Sequence, residues 1–144
     1  MRYEDRTIAF LQTLVPGTGR LILEPNARPN QQELQIGNWV HQNLGGDVIF
    51  KARVEIEGVK NPDLEWRGGL VDIKHIIGGL NALDKRIQDA MHQTVRNGVF
   101  ADISGSDFTD EQAIKTTINR LRRSGGRYVL LIRDNNLVAY IAAQ

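Results

Sequence analysis

The chain has 144 residues, 41% hydrophobic, 24% charged and 6% aromatic, which is apolar material for one packed domain and not for two. Eighteen basic and seventeen acidic residues leave a net charge of +1, which excludes a strongly basic nucleic-acid coat and an acidic disordered tail. The absence of cysteine removes disulfide frameworks, thiol nucleophiles and cysteine-rich zinc sites. With no long apolar run and no signal-like N-terminus, the segment reads as soluble, any export signal lying elsewhere on a longer protein.

Ile8, Leu11 and Leu14 recur at helical spacing, so the pattern predicts a helix over residues 3–14, stopped by Pro16-Gly17-Thr18-Gly19. Residues 16–29, with three prolines and only 20–23 suggesting extended chain, read as a connecting segment rather than a core element. Asn30 and Glu33 form a near capping box ahead of Ile36, Val40 and Leu44, predicting a second helix ended by Gly45-Gly46. From Val48 to Glu57, Phe50, Ala52, Val54 and Ile56 alternate with polar or outward positions, the pattern of a strand with one buried face. Residues 64–66 and 70–76 flank Arg67-Gly68-Gly69 as a hairpin turned at the two glycines.

Leu83, Ile87, Ala90, Met91 and Val95 mark a third helix, followed by a strand over 99–103. Thr109 and Gln112 open a fourth helix as a capping box, carrying Ile114, Ile118 and Leu121 to Gly125-Gly126. Residues 128–132 and 137–141 finish as a strand pair across Asp134-Asn135-Asn136. This order predicts an α/β (α+β) fold with a mixed sheet flanked by helices in one domain over 1–144: an N-terminal helix and connector (1–29), a core (30–103), and a C-terminal helix and strand pair (104–144).

Chemistry concentrates between Asn61 and Lys74. Asp72 and Lys74, two apart on a strand, leave the same face, and the fold-back of the hairpin brings Asp63 alongside Asp72. Two adjacent carboxylates repel unless a cation lies between them, and hard oxygen ligands favour Mg²⁺ or Mn²⁺. Such a metal polarises a phosphate and activates a water, while Lys74 neutralises charge growing in the transition state: the chemistry of phosphodiester hydrolysis. Glu33 lies on the apolar stripe of its helix, where a carboxylate rarely goes unpaired, and supplies a third acid. The plainer readings are that Asp63 caps a turn after Pro62, Glu33 serves only the capping box, and Asp72 and Lys74 are an exposed cross-strand pair.

With Glu33 on a helix, then Asn61-Pro62-Asp63, then Asp72-Ile73-Lys74, the sequence resembles the PD-(D/E)xK (restriction-endonuclease-like) nuclease superfamily. Within it the resemblance is to the toxin nuclease domains at the C-terminal ends of contact-dependent growth inhibition proteins and other polymorphic toxins, over roughly residues 30–103. It implies that Asp63 and Asp72 are metal ligands with Glu33 in support, that Lys74 is the catalytic lysine, and that a glutamine of the following helix, Gln88 in preference to Gln93, assists. It further implies a restriction-endonuclease-like core, cleavage of RNA and most readily tRNA, a cognate immunity protein, and delivery by a secreted or cell-surface toxin into the target-cell cytoplasm. A DNA endonuclease and a noncatalytic binding or assembly module on the same fold are the alternatives.

Elsewhere, Lys115, Arg120, Arg122, Arg123, Arg127 and Arg133 follow Gln112 with no acid among them. They read either as a solvated helix end or as a patch that contacts nucleic-acid phosphate. Residues 45–84 carry five basic and seven acidic residues and 85–144 nine and six, so the near-zero net charge is a cancellation between an acidic middle and a basic end. His41, His75 and His92 fall in no zinc-binding spacing, His75 on the strand face opposite Lys74 is without an assigned role beyond an expected touch on substrate, and no phosphate loop or serine-hydrolase elbow is present.

Overall fold

A computed structural model describes residues 3–58, 61–92, 97–122 and 127–142. The elements run α1 (Tyr3–Gln12), β1 (Leu21–Leu23), α2 (Gln31–Asn43), β2 (Val48–Phe50), β3 (Leu64–Trp66), β4 (Gly69–His75), α3 (Leu80–Met91), β5 (Gly98–Asp102), α4 (Asp110–Leu121), β6 (Tyr128–Arg133) and β7 (Asn136–Ala142). Both capping boxes form. The Asn30 side chain accepts from the Glu33 N–H and Glu33 Oε1 from the Asn30 N–H, each at 2.8 Å, with the same reciprocity between Thr109 and Gln112.

The seven strands lie in the sheet in chain order, β1 to β7. β1–β2, β4–β5 and β5–β6 are parallel, joined by α2, α3 and α4, while β2–β3, β3–β4 and β6–β7 are antiparallel. The α/β class and mixed sheet agree with the sequence reading. The β3–β4 hairpin turns on Arg67 and Gly68, both with positive φ (51° and 83°), and β6–β7 on Asp134 and Asn135 (50° and 61°). These are two-residue turns of the kind that match strand twist.

Two apolar layers enclose the sheet. Val99, Ala101, Val129 and Leu131 point toward α3 and α4, meeting Leu83, Ile87, Ala113 and Leu121. Val48, Phe50, Leu64, Val71 and Phe100 point the other way, toward Ile36, Val40 and Leu44 of α2. Gly37 lets α2 lie close, because a Cβ there would meet the Phe50 ring at 2.3 Å. Among the described residues no helix is long and apolar enough to cross a membrane.

Two expectations are corrected. The segment read as a connector contains β1, an edge strand in register with Val48–Phe50. The strand expected from Val48 to Glu57 stops at Phe50, leaving an isolated bridge between Ala27 and Ala52. Beyond it the Asn61 carboxamide takes the place of a neighbouring strand: Val54 N–H donates to Asn61 Oδ1 at 2.9 Å and Asn61 Nδ2 donates to the Val54 carbonyl at 3.1 Å. Val54 and Ile56, expected inward, are therefore exposed.

Candidate functional site

Asp63 is fixed by its backbone before its side chain acts. One residue ahead of β3, its N–H donates to the Val71 carbonyl at 3.1 Å and its own carbonyl accepts from Lys51 N–H at 3.3 Å, so the ladder continues through it on both sides. Since Leu64 stands opposite Val71, continuing that register puts Asp63 opposite Asp72. The Asp63 Oδ2 then accepts a short bond, 2.6 Å, from the Ile73 N–H where β4 outruns β3. Asp72 and Lys74 lie beside Val99 and Ala101 in the parallel ladder and share a face. Asp72 is buried and Lys74 half-buried.

Glu33 arrives from the first turn of α2. Its Oε1 is committed to the helix cap, which leaves Oε2 to face Asp63. The side chains of Glu33 and Asp63 are only 12% and 15% exposed, so water screens their repulsion poorly. Burial first, then the adjoining Glu33 carboxyl and the charge of Asp72, pushes Asp63 up to about 7, against the pull of the Ile73 N–H. Glu33 and Asp63 thus meet, with Asp72 near enough for its charge to act on Asp63.

The cation that Glu33 and Asp63 share was not legible in the sequence. Arg53 Nη2 stands 3.4 Å from Asp63 Oδ1 and 3.6 Å from Glu33 Oε2, one nitrogen serving two carboxylates. Arg53 looked like one position of an alternating strand, and only the peeling away of the chain after Phe50 turns it toward the acids. Two half-buried carboxylates sharing one long-range guanidinium, with buried Asp72 beside Asp63, are a donor set suited to a hard divalent cation. Among the described residues, however, no group of three or more His, Asp or Glu forms a ready-made metal cage.

The remaining candidates are scattered. Gln88 is half-buried on α3 and its side chain makes no hydrogen bond to any described residue; Gln93 and Arg123 lie outside the described residues. Arg120 is held by Asp84 of α3 through two bonds, Nε to Oδ1 at 2.8 Å and Nη2 to Oδ2 at 2.6 Å. That pairing holds the Asp84 carboxyl below its ordinary range. Arg127 donates to the Met91 carbonyl, and Arg133 to Asp110 at 2.7 Å and the Phe108 carbonyl at 2.7 Å. Lys115 and Arg122 are exposed on α4. His75, on the face away from Lys74, places Nδ1 3.3 Å from Asp102 Oδ2, and Asp102 Oδ1 accepts from Ser104 Oγ at 2.6 Å.

No family model matches the chain, and no curated protein matches it. Its structure is similar to a chain of the CdiA-CT/CdiI toxin and immunity complex from Burkholderia pseudomallei, with a TM-score of 0.63 and 18% identity over 84% of this chain and 98% of the other. At that identity the likeness establishes a shared α/β fold.

Proposed function

We propose that the chain is a metal-dependent endonuclease of the PD-(D/E)xK type, the effector domain of an interbacterial toxin that cleaves RNA, with tRNA as its first substrate. The observation that carries this reading is the meeting of Glu33 and Asp63, from separate segments, beside the strand that bears Asp72 and Lys74. The fold shared with a chain of a toxin and immunity complex supports the toxin setting, and with it a cognate immunity protein and contact-dependent delivery into a target cell.

Asp63 and Asp72 would hold the divalent cation, Mg²⁺ or Mn²⁺, with Glu33 in support. Bound there, the ion supplies Lewis acidity toward a phosphate oxygen and a water acidic enough to attack phosphorus near neutral pH. Lys74 cannot ligate the ion; its ammonium lies on the same strand face and offsets negative charge growing on the phosphoryl oxygens. The Ile73 N–H holds Asp63 in one orientation, and the helix cap does the same for Glu33. Gln88 and the exposed Lys115 and Arg122 are assigned to substrate contact, Arg123 among them by sequence.

The test is incubation with Mg²⁺ and total tRNA beside plasmid DNA. Cleavage of tRNA that EDTA abolishes is expected. Plasmid nicking with intact tRNA would overturn the RNA reading in favour of a DNA endonuclease, and full cleavage or toxicity in Asp72→Ala would leave only a noncatalytic role for the acids.

A further inference from the structure

We infer that Arg53 is the resident counter-ion of the carboxylate site, a guanidinium that a divalent cation must displace in order to bind. The inference rests on the metal-dependent reading above and concerns what stands in the site before the metal arrives.

Its contacts are those of a placeholder. A single nitrogen, Nη2, spans Glu33 Oε2 and Asp63 Oδ1 at 3.6 and 3.4 Å, whereas the same residue type at Arg120 grips Asp84 with two nitrogens at 2.8 and 2.6 Å. A bidentate guanidinium–carboxylate pair is directional and strong; one nitrogen shared at long range supplies charge with little geometry. The position also permits exchange. Arg53 lies past the end of β2, where the backbone is held by Arg53 N–H to the Asn26 carbonyl at 3.2 Å and by the Asn61 carboxamide at Val54, and not by a strand ladder. Its side chain can swing toward solvent, being 29% exposed, without disturbing the apolar layers.

Charge bookkeeping points the same way. Two half-buried carboxylates repel once both are ionised unless a cation lies between them, so the metal-free fold gains from a positive group there. Arg53 supplies one charge where a divalent ion supplies two, and it draws Glu33 and Asp63 onto itself. That accounts for neighbouring acids that, among the described residues, form no metal cage. Arg53 is thus a positioning residue of the metal-free state and a competitor of the metal.

Mn²⁺ titration, with free Mn²⁺ read by electron paramagnetic resonance, tests this on the wild-type chain, Arg53→Gln and Arg53→Lys. Arg53→Gln should bind Mn²⁺ about tenfold more tightly than wild type, with Arg53→Lys in between. Without metal Arg53→Gln should melt lower than wild type, and saturating Mn²⁺ should raise its Tm by more than it raises the wild type's. Equal or weaker Mn²⁺ affinity in a folded Arg53→Gln would overturn the inference while leaving the metal site standing. If Arg53→Gln does not fold, Arg53→Lys decides alone: affinity no tighter than wild type overturns it. Failure of every chain to bind Mn²⁺ would remove the metal reading and this inference together.

Discussion

Glu33 and Asp63 stand far apart in sequence and meet around one guanidinium beside Asp72, whereas Lys115, Arg120, Arg122, Arg127 and Arg133 crowd one stretch of sequence and are parted by the fold. Arg120 closes onto Asp84, Arg133 onto Asp110, and Arg127 onto a carbonyl of α3, so three of the five spend their hydrogen bonds holding elements together. At the acidic end the balance is reversed: Glu33 and Asp63 share one long-range cation, and the charge of Asp72 acts on Asp63 as well. A run of like charges in a sequence therefore says little about a field in space. The chemically loaded place is where charge is left over after the fold has made its own pairs.

The contrast can be broken most severely at the acids. Asp63→Asn and Lys74→Met should each lower the rate of tRNA cleavage, by about a thousandfold and a hundredfold respectively, measured as single-turnover rates with Mg²⁺. Retained activity in either would mean that the acidic end is structural.

A second expectation uses pH. Asp63 is pushed up to about 7 by burial and by its acidic neighbours, above its ordinary 3.8. Below that ordinary value the group is neutral folded or unfolded and its stabilising contribution is complete. As pH rises toward and through about 7 the unfolded chain has already released the proton that the folded chain holds, and the contribution is lost. Glu24, held low by the Ala52 N–H and then by Lys51, and Asp84, held low by Arg120, act with the opposite sign. The comparison to make is thus the Tm of metal-free wild type minus that of Asp63→Asn. It should be smallest or negative at pH 8, with the variant melting about 3 °C higher, and should move in the wild type's favour toward pH 4.

Glu33 separates two roles that share one carboxyl. Glu33→Gln keeps a side-chain acceptor for the Asn30 N–H and so preserves the helix cap, yet removes the charge; Glu33→Ala removes both. Both should cleave about tenfold more slowly, while Glu33→Ala alone should lose about 1 kcal/mol in denaturant unfolding. Equal activity of Glu33→Gln and wild type would reduce Glu33 to its cap.

The smallest effects belong to the arginines and sharpen the contrast. Arg120→Ala should cost about 1 kcal/mol of stability, the pair being partly exposed, and leave tRNA affinity unchanged. Arg122→Ala should do the reverse, weakening tRNA binding by a fewfold and lowering its salt dependence, with stability intact. An Arg120→Ala that binds tRNA as poorly as Arg122→Ala would show that the basic segment acts as one patch after all.

Local signals in the sequence carried far. Although the turns fall on Arg67-Gly68 and Asp134-Asn135 rather than on the two glycines and across Asp134 to Asn136, which shifts the register by a residue, the Asn30–Glu33 and Thr109–Gln112 boxes, the β4 strand and the presence of both hairpins follow from residue chemistry within a few positions. The early end of β2 did not, because it depends on Asn61 folding back as a surrogate strand, a contact seven residues away that alternation cannot report. β1 escaped because three residues between prolines carry little pattern, and its place comes from parallel pairing with β2 across the whole of α2. Arg53 escaped for the same reason as β2. The partners of Arg120 and Arg133 escaped because Asp84 and Asp110 lie on other elements or turns.

Strand order that equals chain order bears on how the molecule comes into being. Each strand finds its partner in the next one along, so no pairing waits for a distant segment, and every closure spans at most one helix and its loops. Loop entropy is thereby met in small instalments, the condition under which mixed sheets assemble quickly. Added strand by strand, such a sheet can grow from the first part of the chain to emerge, and the acids at Glu33, Asp63 and Asp72 would be gathered before α4 and the last two strands are in place.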